Sequence, residues 1–286
     1  MENQNVTVYE RICRTRQMGR ATAVSYINSM ITDFVELHGD RCYADDNAII
    51  GGIGRLHGKP VTVIGIEKGS DINDRIAHNF GSVLPEGYRK ALRLIREAEK
   101  FHRPVICFVD TQGASCGKGA EERNVGQAIA TNLYELIAVK TPIISVMIGE
   151  GGSGGALGLA IADEVWMLDN AYYSVITPES CASILFKDPK CAPQAAEHLR
   201  LTAADLKEME VIERVIEEPE DFSNETEVKK FMEKLASDLN DKIHKLSHKS
   251  VDELLSDRYE KYRKIGRYEE YSTEITRKRK GWFHNA

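Results

Sequence analysis

The chain has 286 residues, 42% hydrophobic and 29% charged, with a formal net charge of −6. These figures exclude a fibrous or disordered chain and allow one large core with appendages. The acidic balance argues against specific nucleic-acid binding. No apolar run approaches the roughly 18 residues that a membrane span needs, so no membrane contact is expected.

In chain order, residues 1–35 read as an N-terminal helical segment. Val24, Ile27, Ile31, Phe34 and Val35 fall at helical spacing in MGRATAVSYINSMITDFVEL. The start, MENQNVTVYERICRTRQ, lacks the hydrophobic region of a signal peptide, so a cytoplasmic location is expected. The basic runs RICRTRQMGR and, near the other end, TRKRK with Arg263, Lys264 and Arg267 read as solvated helix faces or as docking surfaces for an acidic or phosphate-bearing partner. AIIGGIGRLHGKPVTVIGIEK reads as a hairpin that turns at His57 to Lys59.

Two strand-turn-helix units follow, in the prolines' register: Pro104 begins PVICFVDTQGASCG and Pro142 begins PIISVMIGEGGSGGAL, 38 residues further on. The first helix is predicted from about Glu121 to Val139 and the second, from about Ser153 to Ala162, over GALGLAIAD. A period of this size suggests stacked supersecondary units around one core. Glu217 to Asn224 reads as an acidic linker, followed by the amphipathic helix EVKKFMEKLASDLNDKIHKL. Three segments result: 1–35, a main domain over 36–218, and a C-terminal helical extension over 219–286. The apolar stripes in SYINSMITDFV and FMEKLASDLNDKI call for partners to cover them.

The densest signal is the stretch from Thr141 to Ala162, where an apolar strand runs into five glycines between Gly149 and Gly155 and then a small-residue helix. Few Cβ atoms and an open helix N-terminus suit the binding of an electron-rich group. Gly149, Gly151 and Gly154 fit G-x-G-x-x-G, with Asp169 beyond, as in dinucleotide binding. Gly151, Ser153 and Gly155 fit G-x-S-x-G, with Asp163 or Asp169 and His198 following, as in a serine hydrolase. The upstream copy favours a third reading, in which two neighbouring turns offer amides to one oxyanion. The loss of one such donor costs on the order of 3 kcal/mol in the transition state.

Cys13, Cys42, Cys107, Cys116, Cys181 and Cys191 include no C-x-x-C pair, so reduced and mostly buried thiols are expected, with no metal site. Cys116, in the first glycine loop, has no histidine near it in sequence. His38, His57, His244 and His248 read as surface or capping residues.

TDFVELHGDR (32–41), YADD (43–46), GGIGRL (51–56), NFG (79–81), PEGYRKALRL (85–94), GAEER (119–123), IGEGGSGGAL (148–157) and SVITPESCASILF (174–186) occur in this order. Together they resemble the alpha subunits of bacterial acetyl-CoA carboxylase carboxyltransferase, a crotonase-superfamily group. The resemblance runs from about Arg16 to Glu217.

The resemblance implies an α/β, crotonase-like fold of stacked β-β-α repeats with flanking N- and C-terminal helices. It implies transfer of a carboxyl group from carboxybiotin, borne on a separate biotin carboxyl carrier protein, to acetyl-CoA, giving malonyl-CoA for fatty acid synthesis. The amides of Gly154 and Gly155 would form the oxyanion hole for the biotin carbonyl, beside Gly151 and Gly152. The DTQGA loop, with Gly113 and Ala114, would wall the cavity. A zinc-bearing beta subunit would hold the acetyl enolate in an alpha2-beta2 assembly, with biotin carboxylase completing the ATP-dependent complex.

Departures from the family pattern are Gln112 for a proline, Ser115 for an aromatic, Asn124 and Val125 after GAEER, and EEPEDFSNE in place of a glycine-rich stretch. The alternatives are a paralogue acting on another acyl-CoA, a serine peptidase of the same superfamily using Ser153, and a non-catalytic scaffold.

Overall fold

The computed structural model describes residues 6–266. Arg267 and the TRKRK run lie outside the described residues. Helix α1 (Val8–Thr15) starts at a capping box of Thr7 and Glu10, and α2 (Ala23–Met30) follows. The helical spacing read through Phe34 and Val35 does not hold. These residues lie in strand β1 (Thr32–Glu36), where Val35 opposes Ile53. The aromatic and β-branched residues after Met30 pair with a neighbouring strand, and that pairing overrides the periodicity.

Strands β2 (Ile49–Leu56) and β3 (Lys59–Ile66) form the predicted hairpin. His57 and Gly58 both take positive φ, 46° and 77°, which matches the right-handed twist of the strands. Next come α3 (Ile72–Ala77), α4 (Pro85–Lys100), β4 (Val105–Thr111), α5 (Lys118–Glu122) and α6 (Val125–Leu136). The single helix predicted from Glu121 is interrupted at Asn124, which takes the left-handed conformation (φ 62°) that asparagine tolerates.

The chain continues through β5 (Ile143–Gly152), α7 (Ser153–Ala160), β6 (Glu164–Leu168), β7 (Tyr172–Ser174), α8 (Pro178–Leu185), α9 (Ala192–Leu199), α10 (Ala203–Glu208) and β8 (Arg214–Ile216). It ends in α11 (Glu225–Ser247) and α12 (Val251–Lys264). One sheet holds the strands in the order β1-β2-β3-β4-β5-β6-β8, with β7 pairing the far end of β5. The first two pairings are antiparallel and the others parallel. Every residue of β4 and β5 is buried, which explains why both strands read as continuous apolar runs rather than alternating ones.

One hydrophobic cluster includes Ile12, Tyr26 and Ile27 from the first segment, the central strands, and Met232, Leu235, Leu239 and Leu254 from the last. The apolar stripes of α2 and α11 therefore cover each other within the chain, with the Tyr26 and Phe231 rings 6.3 Å apart. Val35, the last residue of the first stripe, stays exposed. Cys107 and Cys181 are buried, but Cys13, Cys42 and Cys116 are exposed, so the expectation of mostly buried thiols is corrected. Among the described residues no helix is long and apolar enough to cross a membrane, and no group of three His, Cys, Asp or Glu could hold a metal ion.

Candidate active site

The parallel register of β4 and β5 preserves the sequence repeat. Val105 opposes Ile143, and each pair through Val109 and Met147 keeps the 38-residue offset. Beyond them the ladder slips, so that Thr111 opposes Gly151. The two glycine turns then meet backbone to backbone. A Cβ on Gly152 would strike the Gln112 carbonyl, and one on Gly155 would lie 2.5 Å from the Ala114 nitrogen and 2.7 Å from the Gly113 carbonyl carbon. Neither position has room for a side chain. At Gly154 the nearest neighbour would be the Ile129 side chain, at 3.8 Å. The left-handed conformation in this turn falls on Ser153 (φ 50°) rather than on a glycine.

Helix α7 is tied to the protein by its carbonyls. Tyr88 Oη donates to Gly155 O at 3.0 Å, Asn132 Nδ2 to Gly158 O at 3.2 Å, Ser145 Oγ to Leu159 O at 2.6 Å and Tyr262 Oη to Ala160 O at 3.0 Å. Its N-terminus has no side-chain cap. First-turn amides have no partner inside a helix and carry the positive end of its dipole, so this end can donate to an acceptor. The first turn differs: Gly113 N–H donates to Thr111 Oγ1 and Ser115 N–H to Val83 O, both at 3.0 Å. A cavity of about 360 Å³, lined by Leu157, Ile161, Tyr173, Val175, Leu206 and Tyr262, opens at Ser153 and Gly154.

Behind the turns lies a charged network that the sequence reading missed. Lys68 Nζ donates to Glu150 Oε1 at 2.6 Å and Asp110 Oδ1 at 3.2 Å, while Arg16 Nε and Tyr172 Oη hold Glu150 Oε2 at 2.9 and 2.8 Å. Burial pushes the Glu150 carboxyl up, but Lys68, Arg16 and Tyr172 outweigh it and leave its pKa below the ordinary value. Burial likewise pulls Lys68 down, and the Asp110 and Glu150 carboxylates raise it above its ordinary value. The partners lie 42, 82 and 134 residues apart in sequence, too far for any local pattern to pair them. The one available signal is an acid, Glu150, standing between glycines at the end of an apolar strand.

In the basic run near the start, Arg16 and Arg20 are corrected as solvated residues, while Arg14 stays exposed. Arg16 reaches Glu150 and Glu179, and Arg20, half-buried, donates to Glu218 and to the Ile148 carbonyl. The hydrolase constellation is not assembled. Asp163 is held by Arg258 and by Ile143 N–H, Asp169 accepts from Glu218 N–H, and no hydrogen bond among the described residues joins Ser153 to His198.

A family model described as acetyl co-enzyme A carboxylase carboxyltransferase-like matches residues 2–266. The acetyl-coenzyme A carboxylase carboxyl transferase subunit alpha of Ruminiclostridium cellulolyticum is 52% identical over 91% of this chain and 98% of its own length. A fused subunits beta/alpha protein of Natranaerobius thermophilus is 50% identical over 95% of this chain, which spans only 45% of that longer protein. Among solved structures, a Pseudomonas malonate decarboxylase heterotetramer in complex with coenzyme A matches with TM-score 0.66 at 14% identity, over 92% of this chain and all of that one. A transcarboxylase 12S chain matches with TM-score 0.62 at 16% identity, over 95% of this chain and 48% of that one. The fold is thus the crotonase-like α/β fold expected from the sequence motifs.

Proposed function

The chain belongs to the acetyl-CoA carboxylase carboxyltransferase-like family, and from that premise we propose that it is the alpha component of a carboxyltransferase that moves a carboxyl group from carboxybiotin to acetyl-CoA. The observation that carries this reading is the pairing of a helix N-terminus without a side-chain cap with a cradle in which Gly152 and Gly155 leave no room for a side chain. A urea-type carbonyl needs amide donors and close backbone approach, and both are present, so these residues fit a biotin ring. When bound, carboxybiotin supplies the carboxyl group and then a base for the methyl proton.

The chain's own residues bind and orient. Gly154 and Gly155 N–H form the oxyanion hole for the carbonyl, Gly151 and Gly152 bring the strand end against it, and Gly113 and Ala114 form the opposite wall. The cavity that opens at Ser153 and Gly154 gives the carbonyl a largely apolar surrounding, and amide hydrogen bonds are stronger where the local dielectric is lower. The acceptor thioester and the enolate oxygen fall to a zinc-bearing beta partner in an alpha2-beta2 assembly. A biotin carboxyl carrier protein and biotin carboxylase supply the charged carrier, and the location is cytoplasmic.

The test is malonyl-CoA-dependent carboxylation of free biotin by this chain, by its beta partner and by the two together. Turnover is expected only from the mixture. Equal turnover by this chain alone, or turnover indifferent to biotin, would reject the proposal.

A further inference from the structure

The slip between β4 and β5 needs a physical cause. From Val109 to Thr111, β4 advances two residues, while its partner advances four, from Met147 to Gly151. Irregularities of this kind occur beside active sites, where they re-aim the residues beyond them, and they leave ladder groups to be satisfied some other way. Here a side chain takes over. Asp110 Oδ1 accepts Glu150 N–H at 2.8 Å, replacing the missing rung. The Asp110 carboxylate also fills the space over Gly149, where a Cβ would lie 2.6 Å from its carbon and both oxygens. Lys68 then locks the arrangement by donating to both Asp110 and Glu150, and the joint lies immediately before Gly151.

We propose that Asp110 is the positioning residue for the oxyanion turn: its carboxylate, locked by Lys68, holds the slipped register that sets Gly152 and Gly155 against Gln112, Gly113 and Ala114. The proposal rests on the carboxyltransferase reading for its kinetic consequence, and on geometry alone for its structural one. Asp110 touches neither carboxyl donor nor acceptor in this account. It acts through the position of the amides.

The test uses the full chain assembled with its beta partner, carrying Asp110→Ala, Asp110→Asn or Lys68→Met. Two readouts are kcat and KM for malonyl-CoA in the biotin-dependent reaction. The third is amide hydrogen exchange over residues 148–157. Asp110→Ala is expected to lower kcat about 100-fold, the scale of an ångström-sized misplacement, with KM changed by less than about twofold. Asn keeps an oxygen for Glu150 N–H, so Asp110→Asn should recover about tenfold of that loss, and exchange over 148–157 should be fastest in the Ala variant.

An assembled Asp110→Ala complex with kcat within about threefold of the parent, or with unchanged exchange in that segment, overturns the proposal. If Asp110→Ala does not assemble, Asp110→Asn and Lys68→Met decide by the same kcat-against-KM criterion, and failure of all three to assemble overturns it in favour of a purely structural role. If the parent complex shows no biotin-dependent turnover, the carboxyltransferase reading falls while the exchange comparison still decides the positioning role.

Discussion

The turns after β4 and β5 are copies of one design that have been put to different uses. Both follow fully buried parallel strands with a 38-residue offset. The first turn spends amides on itself and its neighbours, through Thr111 and Val83, and leads into a short α5 that breaks at Asn124 before α6. The second turn leads straight into α7, whose carbonyls are tied down by Tyr88, Asn132, Ser145 and Tyr262 while its amide end has no side-chain cap. In the proposed site one repeat serves as the wall and the other as the binding end. What separates them is where the side chains that bind the backbone are placed, and not the glycine count alone.

The comparison breaks most severely at Gly155. Gly155→Val puts side-chain atoms into the backbone at Gly113 and Ala114, so it should force the turns apart and remove the proposed oxyanion hole. A loss of about 100- to 1,000-fold in kcat is expected, together with a lower melting temperature. Gly154→Val should instead leave the melting temperature nearly unchanged, because only Ile129 lies near, while still lowering turnover by crowding the cavity mouth. Steady-state kinetics alongside calorimetry on both variants checks the contrast, and equal melting temperatures would contradict the backbone contact.

A smaller effect is expected in the acid limb of stability. Glu150 has a folded pKa below its ordinary 4.5, so its contribution is complete above about that pH and is lost as pH falls through the folded value. Glu150→Gln removes that linkage, so the melting temperature of the variant should fall less steeply than that of the parent between about pH 5 and pH 3. Parallel slopes would show that the carboxylate is not held by Lys68 and Arg16 as described.

The smallest effect should come from Ser153, whose side chain is exposed and whose φ is 50°. Ser153→Gly should relieve the left-handed strain and stabilise the chain by about 0.5 kcal/mol, with turnover largely kept. A variant with no turnover would revive the serine-nucleophile reading, which the engaged Asp163 and Asp169 otherwise argue against.

Much of this is legible in the amino-acid sequence. The 38-residue repeat carries directly into the strand register, because equivalent residues in stacked units must pair if their strands run parallel at equal length. His57 and Gly58 turn the hairpin where the pattern of flanking apolar runs places it. The ordered motifs from TDFVELHGDR to SVITPESCASILF pointed to the family, because several long matches in order are far less frequent by chance than a single glycine pattern.

What the sequence could not reveal depends on contacts between distant residues. Phe34 and Val35 satisfy a helical period, yet their backbone groups pair with β2, a choice made by the neighbouring strand. The stripes of α2 and α11 looked unpartnered because each is blind to a helix some 200 positions away that covers it, and the Tyr26 and Phe231 rings show that meeting. Asp110, Glu150, Lys68 and Arg16 have no local periodicity, and each charge is tolerable in the interior only because the others are there. Local chemistry singled out the glycine-rich turn. The tertiary structure decided how that turn is held, since burial and pairing are properties of residues brought together only by the folded chain.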